Sequence, residues 1–243
     1  MLKSLKADLH IHTCLSPCGD LKMSPANIAE KANIQNIDIL GICDHNSAEN
    51  VPAVMQAASR YKITVLPGLE VTSQEEIHIL ALFDELLFAL KMQEVIYNNL
   101  PGENDEDAFG IQVVVNEAGE VLDFNKRLLI GASTLSVNEV VETIHNLNGL
   151  AIAAHIDRES FSLISQLGFI PPDLDLDALE ISWRMDTQEA MERFRPDVSI
   201  TRSSDAHFPE EIGRATTTFL IEQATTKEIK KALFGQEGRK LIH

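Results

Sequence analysis

Six of the eight histidines in this chain of 243 residues sit in short motifs that could hold metal. Asp8-Leu9-His10-Ile11-His12 sets two imidazoles two residues apart. On a strand, such a pair points to one face and can grip one ion. Cys43-Asp44-His45-Asn46, Gly68-Leu69-Glu70, Glu76-Ile77-His78-Ile79-Leu80 and Ala153-Ala154-His155 follow, and Ser204-Asp205-Ala206-His207 ends the series with a second carboxylate and a final imidazole. Two carboxylates, Glu70 and Asp205, with six imidazoles exceed what one tetrahedral ion needs, and the mixture of nitrogen and oxygen suits Zn, Mn or Fe better than Mg alone. The chemistry would be hydrolysis by a metal-activated hydroxide.

Taken singly, each motif has a plainer explanation. A lone His-x-His on a half-buried strand is more often structural, Glu70 could be a buried paired charge, and Asp205 could cap a helix. The joint pattern is what argues for a site, because six separate strand-end motifs would each need their own account. His145, within a helical pattern, and His243, the last residue, stay outside it.

The elements that must position these residues follow a βα rhythm, with short Ile/Val/Leu runs alternating with longer amphipathic stretches. Strands are expected at 7–12, 37–45, 63–71, 76–83, 150–155, 178–182 and 198–205. Helices are expected at 24–35, 49–61, 84–98, 136–147, 160–167, 187–194 and 225–234. Ser24-Pro25 supplies a helix start, and Ser136 with Glu139 reads as a capping box. The six motif histidines then lie at or just past the C-terminal ends of strands, where barrel active sites are built. The expected fold is α/β, a distorted barrel of seven strands in one domain spanning 1–243. A β-hairpin inserted around residues 110–124, turning at Glu117-Ala118-Gly119, interrupts the rhythm.

Composition sets the surroundings. The N-terminus lacks a signal-peptide pattern and no run nears roughly 18 apolar residues, so the cytoplasm is the expected compartment and no membrane partner is expected. Three cysteines, Cys14, Cys18 and Cys43, fit reduced thiols. A formal charge of −17 works against loose electrostatic capture of nucleic acid. A stable duplex nucleic acid is therefore not an expected partner, and any phosphorylated substrate would be small and captured locally by metals and a few placed cations. Oligomeric state is left open.

The motifs as quoted, with Thr13 extending the first, resemble the PHP (polymerase and histidinol phosphatase) family. They run from residue 8 to residue 207 in that family's order. The resemblance implies a distorted (β/α)7 barrel, a site for two to three divalent ions, and hydrolysis of phosphate esters, either phosphomonoesters or nucleotide-type substrates. An exonuclease on short single strands, or a catalytically silent scaffold, are the alternatives. Carried over by motif, His10, His12, Glu70 and Asp205 would hold one ion, and Glu70 would share a second with His78 and His155. His45 and His207 would hold the third. Its remaining ligand normally follows the first motif in a Ser-x-Asp-Gly context, whereas this loop reads Ser16-Pro17-Cys18-Gly19-Asp20. Asp20 is the expected ligand and Cys18 the substitute. Arg158 is placed to reach a phosphate oxygen, as in some PHP phosphoesterases, with Arg184 and Arg214 as weaker candidates. Asp44 would orient His45 or take part in proton transfer.

Overall fold

A computed structural model describes residues 1–194 and 198–242, so His243 lies outside the described residues. The chain runs β1 (Lys3–Ile11), α1 (Pro25–Ile34), β2 (Ile39–Ile42), α2 (Val51–Ala58), β3 (Thr64–Thr72), β4 (His78–Leu82), α3 (Leu86–Asn98) and α4 (Glu106–Phe109). It continues through β5 (Val113–Val115), β6 (Val121–Phe124), α5 (Val137–Asn146), β7 (Leu150–Ala153), α6 (Leu163–Leu167), β8 (Ala178–Ile181) and α7 (Thr187–Phe194). It ends with β9 (Ile200–Arg202), β10 (Thr217–Ile221), α8 (Thr226–Leu233) and β11 (Lys240–Ile242).

Helix starts follow the sequence signals. Ser24 accepts from the Asn27 amide with Pro25 in the first turn, and the Ser136–Glu139 capping box forms at α5. The fold is α/β, with one curled sheet in the order β11-β10-β1-β2-β3-β4-β7-β8-β9. The segment after β9 returns beside β1, where the His12 amide donates to the Ala206 carbonyl at 3.0 Å and Ile11 bridges Ala206 in parallel. That contact draws the curl shut at the rim where the strand-end motifs meet.

The expected run of seven βα units differs in two ways. β4 is antiparallel to both β3 and β7, so β3 and β4 form a hairpin rather than successive βα repeats. His78 is the first residue of β4 rather than lying at a C-terminal strand end as expected, and it reaches the rim because that strand runs the opposite way. Two further strands, β10 and β11, extend the sheet beyond β1, with Lys3 facing Ile221 and Leu220 facing Lys240.

Apolar clusters cover both faces of the sheet. The larger joins α1, α2, α3 and α5 to one face through residues such as Ile28, Val54, Met92 and Ile144. The smaller packs Leu9, Ile39, Leu66, Leu80 and Ile152 against Phe219 of β10 and Ile229 and Leu233 of α8. At about 25 cal/mol per Å2 of apolar surface buried, these clusters supply the main driving force for closing the curl. Strand spacing at the first motif is tight: a Cβ on Gly41 would lie 2.2 Å from the Leu9 carbonyl oxygen, so only glycine fits there.

The hairpin of β5 and β6 forms around residues 110–124 as expected. It braces the loop after β1. The Val113 amide donates to the Cys14 carbonyl at 3.3 Å, and Asn50 ties Thr13 to the hairpin by donating to Thr13 Oγ1 and the Val113 carbonyl. Among the described residues, no helix is long and apolar enough to cross a membrane.

Candidate metal centre

The rim gathers His10, His12, His45, Glu70, His78, His155, Asp205 and His207. All but His207 are buried. Three of the local turns use left-handed backbone, at Asn46 (φ 54°), His155 (φ 29°) and Asp205 (φ 50°). Such conformations are uncommon for non-glycine residues and persist where surrounding structure enforces them.

Glu70 is the hub. Its Oε1 lies 2.7 Å from His78 Nδ1, 3.1 Å from His155 Nε2 and 3.4 Å from His10 Nε2. Its Oε2 lies 3.0 Å from His45 Nδ1 and 3.4 Å from His12 Nε2. His10 Nε2 and His12 Nε2 approach to 3.1 Å, and Asp205 Oδ1 stands 3.4 and 3.3 Å from them. Three ligand groups converge: His10 with His12 and Asp205, His45 with Glu70 and His78, and His12 with His45 and His207.

Hydrogen bonds behind the rings fix which nitrogen faces inward. His10 Nδ1 meets Glu180 Oε1 at 2.9 Å, a carboxylate that can only accept while ionised, so Nε2 is left for a ligand. Ser16 Oγ donates to Asp44 Oδ1 at 2.7 Å and accepts from His12 Nδ1 at 2.9 Å, which again leaves Nε2. His207 Nδ1 lies 3.0 Å from the Asp205 carbonyl oxygen, which can only accept. His78 stacks on Phe161 with ring centroids 4.9 Å apart.

Charge and burial compete across the cluster. Burial alone would raise Glu70 and Asp205, yet the neighbouring imidazoles, His78 and His10 foremost, hold both well below the usual carboxylate range. Burial lowers His10, but Glu180, Glu70 and Asp205 together lift it well above the ordinary histidine value. His12 is pushed well below that value by burial and by His207, and burial takes His78 down to about 4 despite Glu70. His12 and His78 therefore present neutral lone pairs near pH 7.

Divalent ions fit this donor set. Glu70 Oε2 and His45 Nδ1 are buried and 3.0 Å apart, yet neither has a hydrogen-bond partner, and His155 Nδ1 and Glu180 Oε2 are also unpartnered. Buried polar atoms left unpaired are costly, so the close approach of Glu70 Oε2 and His45 Nδ1 suits a cation better than a proton.

Some expected placements change. Asp44 does not touch the His45 ring: its oxygens take the Thr13 amide, the Thr13 hydroxyl and the Ser16 hydroxyl, so it supports His12 through Ser16. Asp20 turns away, its Oδ1 accepting from the Lys22 amide at 2.7 Å, while Cys18 Sγ lies 3.2 Å from His45 Nε2. Burial raises the Cys18 thiol, but His45 and His207 bring it down to about 6. Arg158 Nη1 pairs with Asp205 Oδ2 at 2.6 Å. Glu180 is absent from the sequence-based set, although a lone acid within Ala178-Leu179-Glu180-Ile181 is the signal that could have found it. His145 stays outside the site, paired with Asp177.

A cavity of about 320 Å3 opens beside the cluster, lined by Cys18, Arg158, Trp183, Arg184, Asp205, His207, Phe208 and Arg214 among others. Trp183 and Phe208 are exposed, and the guanidinium groups of Arg184 and Arg214 lie 5.4 and 5.0 Å from the Trp183 ring centre.

Residues 8–166 match the PHP domain family and residues 197–234 the PHP-associated family. The chain belongs to the PHP family. That membership agrees with the resemblance drawn from the motifs, and metal-dependent phosphoesterase chemistry is general in the family. The PHP chain is 26% identical to a 5′-3′ exoribonuclease of Haemophilus influenzae over 62% of its own length and 68% of that protein. It is also 26% identical to the uncharacterized protein YqxK of Bacillus subtilis, over 99% of its own length but 65% of that protein. Among solved structures, the lesion-specific endonuclease PfuEndoQ of Pyrococcus furiosus superposes with a TM-score of 0.74 at 20% identity, covering 98% of this chain and 58% of that one. This chain thus spans roughly 58–65% of those two longer relatives.

An endonuclease Q structure of the same fold, with a TM-score of 0.71, holds a 27-mer duplex with an abasic lesion at the active site. That finding overturns the expectation of a small phosphorylated substrate to the exclusion of stable duplex nucleic acid. The physical reason is that net charge is a property of the whole surface, whereas phosphate is captured where cations cluster, and here three arginines line the cavity beside the histidine cluster.

Proposed function

We propose that the chain, acting as one domain over 1–243, is a metal-dependent hydrolase of phosphate esters in nucleotide-containing substrates, nucleic acid strands included. The observation that carries this reading is the junction of two features at Asp205 and His207, which belong to the ligand cluster and also form a wall of the cavity holding Trp183 and the arginines.

Divalent ions bound by His10, His12, Glu70 and Asp205, by Glu70 with His78 and His155, and by His45 with His207 would supply Lewis acidity and lower the pKa of bound water. The chain's own groups do the rest. Glu180 and Ser16 orient His10 and His12. Arg158, 42% exposed and hydrogen-bonded to the outer oxygen of Asp205, is positioned to take a non-bridging phosphate oxygen. Trp183 offers a face for a base, and Arg184, which has no ion-pair partner among the described residues, adds positive charge beside it.

The test combines metal analysis of protein purified without chelator with a hydrolysis screen of short RNA and DNA strands, an abasic duplex and p-nitrophenyl phosphate in added Mn2+ or Zn2+. Trp183→Ala is expected to raise KM for base-containing substrates by the equivalent of about 1–3 kcal/mol and to leave p-nitrophenyl phosphate unchanged. Equal loss on both, or no effect on either, would overturn the nucleotide reading. A metal-loaded protein without turnover on any ester would overturn the hydrolase itself.

A further inference from the structure

We propose that Cys18 is a metal ligand, completing with His45 and His207 a sulfur-containing site that favours a thiophilic ion such as Zn2+ over Mg2+ or Mn2+. The inference rests on the metal reading of the cluster and is independent of which ester is cleaved.

The geometry around Cys18 carries it. Its sulfur lies 3.2 Å from His45 Nε2, and the His45 ring is buried with its other nitrogen lacking a hydrogen-bond partner. His12, His45 and His207 bring their ligand atoms within 4.8 Å of one another, so the thiol joins an existing convergence of imidazoles. His207 donates Nδ1–H to the Asp205 carbonyl, which leaves the lone pair of its other ring nitrogen for an ion.

The loop fixes this choice of ligand. The Gly19 amide donates to the Ser16 carbonyl at 2.8 Å, closing a turn in which a Cβ at position 19 would come within 2.6 Å of the Thr13 carbonyl oxygen. The turn faces Cys18 toward the histidines and sends the Asp20 carboxylate back to the Lys22 amide. Asp20 still helps, since its amide donates to the His207 carbonyl at 2.8 Å and ties the loop to that residue. Cys14 and Cys43 are buried and free, hydrogen-bonded to backbone carbonyls of Val113 and Leu9, so neither competes for the position. Two imidazoles and a thiolate leave a fourth position open, the arrangement of a catalytic rather than a closed structural zinc site.

The test is a Co2+ titration of the chelator-stripped full chain followed by absorption spectroscopy. The wild type and Cys14→Ala are expected to develop the near-ultraviolet thiolate-to-cobalt charge-transfer band. Cys18→Ser is expected to lose it and to retain less cobalt after gel filtration, and Cys18→Asp to recover the cobalt without the band. Cobalt uptake by the wild type without the band, or a band that survives in Cys18→Ser, overturns the assignment and leaves the other ion positions standing. No uptake by any form would overturn the metal reading together with it. Should Cys18→Ser fail to fold, the band's presence in wild type and Cys14→Ala, and its absence in Cys18→Asp, still decides the question.

Discussion

Histidine meets carboxylate at both ends of the sheet, with opposite results. At the N-terminal end, Asp177, just before β8, receives the Ala151 amide at 2.9 Å, His145 Nε2 at 3.0 Å and Lys230 Nζ at 2.6 Å. Every donor there has an acceptor, and the knot ties α5, β7 and α8 together. At the rim, Glu70 meets imidazoles on both oxygens, yet buried atoms remain unpaired and ring nitrogens crowd to 3.1 Å. The same residue types form a structural clamp where protons can be shared and a ligand cage where lone pairs converge.

The strongest way to break this contrast is at the hub. Glu70→Gln removes the charge that five imidazoles surround, and is expected to abolish retained metal and reduce hydrolysis to background, read by elemental analysis and turnover. A Glu70→Gln variant that keeps its metal would make the rim another structural clamp. One step out, Glu180→Gln is expected to keep the fold and cost about 10–100-fold in metal affinity or activity, since the charged acceptor that fixes the His10 ring becomes a neutral amide.

At the opposite end, Asp177→Ala is expected to leave turnover unchanged and to cost about 1–3 kcal/mol in denaturant unfolding, because a buried amide loses its acceptor. Burial opposes the ionised form of Asp177, but His145, Lys230 and the Ala151 amide hold its carboxyl below its ordinary 3.8. Its stabilisation is therefore complete above that value and lost as pH falls through the lowered one. Asp177→Asn should flatten the wild type's loss of stability in that acidic window, and an unchanged acid profile would remove Asp177 from the account. The smallest effect belongs to Thr225, whose side chain accepts from the Glu228 amide at the start of α8. Thr225→Ala is expected to cost about 1 kcal/mol with no change in metal content, seen as a modest drop in Tm.

The rim is legible in the sequence because its candidate ligands are local signals: paired histidines two apart, or an acid ending an apolar run, read the same in any fold that ends its strands together. Glu180 is not legible in this way because its meaning depends on His10, far away in sequence. The same holds for β10 and β11, since Thr217–Ile221 becomes a strand only when the first residues of β1 lie beside it. A family habit favours Asp20 over Cys18, whereas the local turn at Gly19 decides which side chain faces inward. The exclusion of duplex nucleic acid fails because composition carries no information on where the arginines gather.

The reversed direction of β4 also bears on how the protein assembles. Glu70 and His78 lie on adjacent strands of one hairpin, with Thr72 facing His78 across the turn. Closing so short a loop costs little chain entropy, so this hairpin can form before most long-range pairings. Asp205 and His207 join β1 only after nearly two hundred residues of chain have been brought back. A nascent chain that closes its short loops first would carry the middle of the cluster early and the outer wall last, and a cation captured by the hairpin would act as a folding template for the strands that follow.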